Sequence, residues 1–319
     1  MINFDLPLSR RLHKIYLALN QAVQLAQMKK RLLLPLIFFL IACRQEAVVN
    51  APLPVVTSAY VVVSPTLTPQ PTPVPITPTP TFSPAGALAS GPVNIISIGD
   101  DLTRGDGDDM GRGYPGRLLE LVSQIRPDSS VTNFGRTGWT SDDLIRGDGE
   151  FSGQLERAIN EVESVTSQGR AGVVLVWIGG NDLWELYTGP ADVTAEQEEQ
   201  DLERFTENID KILFDLRTAR AEVIIALLDD QSKRPAQTRS DTYPDITTDE
   251  LERMSAQVQR YNDAIAERAK TYGALTVSFY GSDIFLQAAT LSADGFYPNP
   301  YGYDLVTQEW YKALIRILP

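Results

Sequence analysis

The chain has 319 residues, a formal net charge of −13 at pH 7, one cysteine and one histidine. A single cysteine excludes an internal disulfide, and one Cys with one His leaves almost no material for a Cys/His zinc site. The first 42 residues carry six basic groups against Asp5, so the remaining 22 basic and 40 acidic groups give the rest a formal charge of −18, which repels nucleic-acid phosphates and anionic headgroups. The expected partner is therefore a neutral small molecule or glycan, bound by a monomer without nucleic acid, cofactor or metal.

Residues 1–42 read as a signal region. Met28-Lys29-Lys30-Arg31 precedes an apolar run of about a dozen residues that ends at Ala42, too short to span a bilayer comfortably. Leu40-Ile41-Ala42-Cys43 resembles the bacterial lipobox, in which the cysteine becomes the lipidated first residue of the mature protein. A basic n-region normally begins a chain, so Met28 is the expected start, although Leu6 to Leu25 has the apolar spacing of an amphipathic helix. The expected location is the bacterial cell envelope, lipid-anchored on the outer face of the membrane, or secreted. Residues 43–91 are rich in Pro and Thr and predict an extended, semi-rigid tether that cannot bury a core.

Residues 92–319 are the expected folded domain. Apolar runs of strand length alternate with amphipathic helical patterns, the signature of a parallel sheet covered on both faces. Strands are predicted at Val93 to Gly99, Ser130 to Phe134, Gly172 to Ile178, Glu222 to Leu228 and Leu275 to Tyr280. Leu202, Phe205, Ile209, Leu213 and Leu216 recur at helical spacing before the fourth strand. Leu251, Met254, Val258, Tyr261, Ile265 and Ala269 do so before the fifth, with Gly273 placed to end the helix. A last helix starts near Pro300. Right-handed crossovers then favour a three-layer α/β/α, flavodoxin-like domain with a five-stranded parallel sheet in the order 2-1-3-4-5. Sites in such sheets lie beyond the carboxyl ends of the strands.

Those ends carry four telling segments. Gly99-Asp100-Asp101-Leu102 follows the first strand, with Gly113-Tyr114-Pro115 beyond it; Asn133-Phe134-Gly135-Arg136-Thr137-Gly138 follows the second. Gly179-Gly180-Asn181-Asp182 follows the third, and Asp294-Gly295-Phe296-Tyr297-Pro298-Asn299 precedes the last helix. Singly, each reads as turn or cap chemistry. In this order and spacing they resemble the blocks of SGNH/GDSL hydrolases, a family of lipase, acylhydrolase and esterase type. The resemblance implies an oxyanion hole using Gly135 N–H and the Asn181 side chain, with Asp294 as the acidic member of a triad.

Two positions depart from the family pattern. Asp101 stands where the family has its nucleophilic serine, and Tyr297 stands where it has the histidine base. The only histidine, His13, lies upstream of the lipobox, so no imidazole base is available to the mature domain. Three readings follow. The domain is a pseudoenzyme binding glycan or cell-wall material, with Trp139, Trp184, Tyr187, Phe296 and Tyr297 as an aromatic surface. Alternatively, it is an ester hydrolase with a carboxylate-dependent mechanism. Least favoured is a hard-cation site built from Asp100, Asp101 and Asp294.

Overall fold

The computed structural model describes residues 82–188, 192–238 and 246–319. The signal region, Cys43 and the tether up to residue 81 lie outside the described residues. Five strands form one sheet: β1 (Val93–Gly99), β2 (Ser130–Asn133), β3 (Ala171–Trp177), β4 (Glu222–Leu227) and β5 (Leu275–Ser278). Their order is β2-β1-β3-β4-β5 and every pairing is parallel. The first predicted strand coincides with β1, and the other four differ from the observed ones by one or two residues at their ends.

Eight helices connect them among the described residues: α1 (Asp101–Arg104), α2 (Gly113–Ile125), α3 (Ser141–Arg146), α4 (Gln154–Ser167), α5 (Gly180–Tyr187), α6 (Ala195–Thr218), α7 (Thr248–Tyr272) and α8 (Pro300–Leu314). Helices α2 and α8 pack together on one face, and α4, α6 and α7 cover the other. This three-layer arrangement explains why β1 is buried along its whole length and β3 over its last five residues. On the first face Trp177 stacks on Phe279 at 4.2 Å, and Tyr114 on Trp310 at 5.0 Å. Between α6 and α7, Phe205 stacks on Tyr261 at 3.8 Å. Each such ring removes a large apolar area from water, so these stacks dominate the core.

The domain begins upstream of its expected boundary. Phe82 packs edge-on against Tyr272 at 5.4 Å, Ala85 N–H donates to Gly273 O at 2.8 Å, and buried Leu88 N–H donates to Ile317 O at 2.7 Å. The expectation that the tether runs to Gly91 is corrected here. Two apolar anchors, Phe82 and Leu88, follow the last Thr-Pro repeats and bring the chain onto the domain.

Side-chain amides hold the strand ends that carry the site. Gln154, at the start of α4, accepts from Gly99 N–H at 2.7 Å and donates to Gly99 O at 2.9 Å. Asn262 of α7 does the same for Leu228, at 2.7 and 2.9 Å. Each pair satisfies backbone groups that leave the sheet ladder while still buried. Gly99 has φ +152, and a Cβ there would lie 2.0 Å from Trp177 O, so the turn into the site requires glycine.

Asp108 anchors the next loop. It accepts from Arg112 and Gly113 N–H, both at 2.9 Å, at the start of α2, which has no side-chain cap of its own. It also takes Arg117 Nη1 at 2.5 Å and Nη2 at 3.1 Å. Burial opposes the charged form, but the Arg117 guanidinium and the Gly113 and Met110 N–H groups outweigh it and hold the carboxyl at about 2. A folded-state value below the unfolded one gives stability present above about pH 4 and lost as pH falls through about 2. Asp108→Asn should therefore cost about 2 kcal/mol near neutral pH. Urea denaturation at pH 7 and pH 3 checks this: the gap between variant and natural protein should narrow at pH 3, and an unchanged gap would contradict it.

Candidate active site

The site forms where β1, β2 and β3 end together, since Gly99 lies opposite Trp177 and Ser97 opposite Asn133. Asp100 caps α1, accepting from Leu102 N–H at 3.1 Å, and this places Asp101 at the first helical position. Asp101 is 6% exposed. Its carboxylate gathers three donors. Asn181 Nδ2 lies 2.6 Å from Oδ2, Tyr297 OH lies 2.9 Å from Oδ1, and Gly138 N–H points between the two oxygens at 3.2 Å from each. Asn181 also donates to Trp139 O at 3.1 Å, so both of its amide protons are engaged.

Tyr297 reaches Asp101 from a turn closed by a Leu291–Pro298 bridge. Asp294 organises that turn, with Oδ1 accepting from Ser292 Oγ at 2.6 Å, Phe296 N–H at 2.7 Å and Tyr297 N–H at 3.2 Å. Asn299 then caps α8, accepting from Gly302 N–H at 2.9 Å, with Pro300 at a position that needs no N–H. Burial and the Asp101 charge push the Tyr297 phenol well above its ordinary value. It therefore keeps its proton and acts as a donor to Asp101, which is the opposite of a general base. Burial and Asp101 also push the neighbouring Asp100 carboxyl well above the usual carboxylate range.

A buried cation braces this arrangement from behind. Arg234 is 1% exposed and forms a two-pronged pair with Asp229 at 2.7 and 2.8 Å. Its third nitrogen donates to Phe296 O at 3.2 Å, and its guanidinium lies 4.6 Å from the centre of the Phe296 ring. Ala236 N–H adds a bond to Gly295 O at 3.1 Å. The loop after β4 thus fixes the turn that delivers Tyr297.

Asp101, Asn181 and Tyr297 meet as expected of one site, but other expected members are elsewhere. Gly135 N–H is 2.9 Å from Asn133 Oδ1, and the Gly135 Cα packs against the Thr103–Arg104 backbone. The glycine whose N–H faces Asp101 is Gly138, three residues on, with φ +77. This corrects the Gly135 expectation: both glycines stand in one segment, and only the left-handed turn at Gly138 aims an amide at Asp101. Asp294 bonds to its own turn, and among the described residues no group of three or more His, Cys, Asp or Glu is placed to hold a metal ion.

The aromatic surface is also smaller than expected. Trp139 is 4% exposed with Nε1 on Asp148, and Tyr187 is 3% exposed with its hydroxyl 2.6 Å from Glu198. Both are packing residues, because their flat faces are covered by the domain itself. Trp184, Phe296 and Tyr297 remain half-buried and contiguous, with Trp184 and Phe296 centroids 5.9 Å apart and Phe296 and Tyr297 4.9 Å apart. They form a lip beside a small cleft lined by Asp100, Asp101, Gly180, Asn181, Gln231 and Arg234. Gln231 and Arg234 carry no recognisable block. Their one sequence signal is Asp229-Asp230 with Arg234 just beyond a buried apolar strand.

The uncharacterized protein YpmR of Bacillus subtilis is 26% identical over 229 residues, covering 70% of this chain and 81% of that protein. Among solved structures, the lipase Lip_vut3 from a goat rumen metagenome aligns with a TM-score of 0.50 at 16% identity, over 69% of this chain and 97% of the lipase. LAE5, an α/β hydrolase from the metagenome of Lake Arreo, aligns with a TM-score of 0.49 at 19% identity, over 73% of this chain and all of that one. At such identities the lipase speaks for the fold alone. The family model of the GDSL-like lipase/acylhydrolases matches residues 97–305, more than half of the chain and every segment that meets around Asp101, so the chain belongs to that family.

Proposed function

We propose that this is a non-catalytic member of its family, a pseudoenzyme that binds glycan or cell-wall material at the cell surface. One observation carries the reading: the Asp101 carboxylate takes the Gly138, Asn181 and Tyr297 donors for itself. Donors that stabilise a developing oxyanion must be aimed at the position that oxyanion will occupy. Here they serve a resident carboxylate, and a fixed anion beside a second, developing one opposes it by a few kcal/mol in a partly desolvated site. Tyr297, held protonated, supplies no base. The Trp184–Phe296–Tyr297 lip offers faces of the kind on which sugar rings stack.

The chain is read as a monomer tethered to the outer face of the membrane through lipid on Cys43, with no nucleic-acid partner. The lipobox-like segment and the strongly acidic remainder support this. Full-length protein purified from the envelope should enter the detergent phase with a lipid-modified Cys43. It should then be retained by acetylated cell-wall polysaccharide without releasing acetate, and Phe296→Ala should weaken retention about tenfold, the worth of a good stacking contact. Unmodified Cys43 would refute the anchor, and acetate release that disappears in Asp101→Asn would refute the pseudoenzyme.

A further inference from the structure

A second concave surface lies past the ends of β4 and β5, whereas the site around Asp101 lies past β1, β2 and β3. Two turns build it. After β4, Asp229 and Asp230 lead into a 3₁₀ turn, Gln231–Lys233. After β5, Tyr280 and Gly281 lead to Ser282, whose hydroxyl oxygen caps a second such turn, Asp283–Phe285, by accepting from Ile284 N–H at 3.3 Å. That second turn brings Phe285 inward, fully buried, with its ring edge-on to Trp177 and to Phe279 at 6.1 Å each. Between the turns lies a pocket of about 120 Å³ whose lining includes Asp229, Asp230, Lys233, Tyr280, Phe285 and Leu286. Phe285 forms its depth, while Tyr280 and Leu286, each 38% exposed, stand at its rim, and covering them removes apolar area from water.

The charged groups in the lining set the polarity of what can enter. Asp229 gives both oxygens to Arg234, at 2.7 and 2.8 Å. Asp230 accepts from Ser232 Oγ and Ser255 Oγ, both at 2.6 Å, and pairs with Lys233 Nζ at 2.8 Å. An anion would meet two buried carboxylates, and a cation would find each of them already matched by a cation of the protein's own. A neutral group is left.

Size and shape select among neutral groups. An apolar cavity of about 150 Å³ accommodates a benzene ring, so this pocket takes one six-membered ring and not two. Phe285 and Tyr280 both line it. A flat ring gains edge-to-face or offset contact with other rings beyond the area it buries, which a saturated ring of the same size does not.

We propose that this pocket is a second binding site, for a single uncharged aromatic ring, either free or carried by a sugar. It goes beyond the binding reading above and does not depend on whether Asp101 turns over esters. The sugar-borne source is in reach, because the Arg234 guanidinium lies 4.9 Å from the centre of the Phe285 ring and 4.6 Å from that of Phe296, so one side chain separates the pocket from the aromatic lip.

Amide chemical shifts of the full-length protein, followed during titration with benzyl alcohol, cyclohexylmethanol and benzyl glucoside, test this. Benzyl alcohol should shift the Gly281 and Ser282 amides saturably. It should bind at least about threefold more tightly than cyclohexylmethanol, the worth of one ring contact beyond its area. Apolar burial alone gives the reverse order, since the saturated ring is the more hydrophobic. Leu286→Trp should weaken benzyl alcohol about tenfold by overfilling the pocket from its rim, and Tyr280→Ser several-fold by removing one ring. Both positions are more than a third exposed, so the fold tolerates the changes. Tighter binding of benzyl glucoside than of benzyl alcohol identifies a sugar-borne ring, and equal or weaker binding a free one. Absence of saturable shifts at Gly281 and Ser282, cyclohexylmethanol binding as tightly as benzyl alcohol, or binding unchanged in Leu286→Trp would overturn the proposal.

Discussion

Asp101→Ser combined with Tyr297→His should give the domain ester hydrolysis at least about 100-fold above the unaltered protein, the scale of a positioned general base. The serine would remove the carboxylate that now engages Gly138 N–H and Asn181 Nδ2, leaving both to meet an oxyanion. A histidine at position 297 would stand on the same turn, organised by Asp294 and braced by Arg234, with its ring directed toward position 101 as the phenol now is. Each single substitution should gain little, because members of a triad act as a unit and their effects do not add. Asp101→Ser alone leaves the new hydroxyl beside Tyr297 without a base, and Tyr297→His alone leaves the new imidazole beside Asp101 without a hydroxyl to activate. Initial rates on short acyl esters for the two singles and the double decide the matter. A double variant as silent as the singles would show that the donors are not placed for acyl chemistry.

Arg234→Met should destabilise the domain by about 3–5 kcal/mol, because it strands a buried carboxylate. Asp229 is 2% exposed and both its oxygens are committed to the guanidinium. For a domain of this size the loss corresponds to a fall in Tm of roughly 6–20 °C, read by differential scanning calorimetry. Combining it with Asp229→Leu should recover most of the loss, since a buried ion pair is often replaceable by apolar groups although neither half can be removed alone. A single variant within about 1 kcal/mol of the natural protein would contradict the buried-pair account. The effect also bears on the site, as the same guanidinium holds Phe296 O and so the turn that presents Tyr297.

Much of this was legible in the sequence, and for identifiable reasons. The β1, β3 and β4 runs are apolar and rich in β-branched residues, with helical spacing between them, and only a sheet buried on both faces accepts that pattern. Asp101, Asn181 and Tyr297 were visible because each occupies a fixed place in a recognisable block. What was not legible depends on which way the backbone faces. Gly135 and Gly138 are equivalent as letters, and only the positive φ at Gly138 aims its N–H at the carboxylate. Trp139 and Tyr187 read as candidate stacking residues, yet one is turned onto Asp148 and the other onto Glu198. Gln231 and Arg234 reach the site from the loop after β4 by long-range packing, which no local pattern encodes. Phe82 and Leu88 were hidden by their proximity to the proline repeats, although both pack on the domain.

Asp101 holds the Gly138 and Asn181 donors that a developing oxyanion would need. Steady-state rates of the unaltered full-length protein on p-nitrophenyl acetate and acetylated-sugar esters, measured beside Asp101→Asn, decide whether this site turns over esters. Rates indistinguishable from buffer are expected for both proteins. Turnover in the ordinary enzymatic range of about 1–10³ s⁻¹ by the unaltered protein, abolished in Asp101→Asn, would contradict it and make Asp101 a catalytic carboxylate.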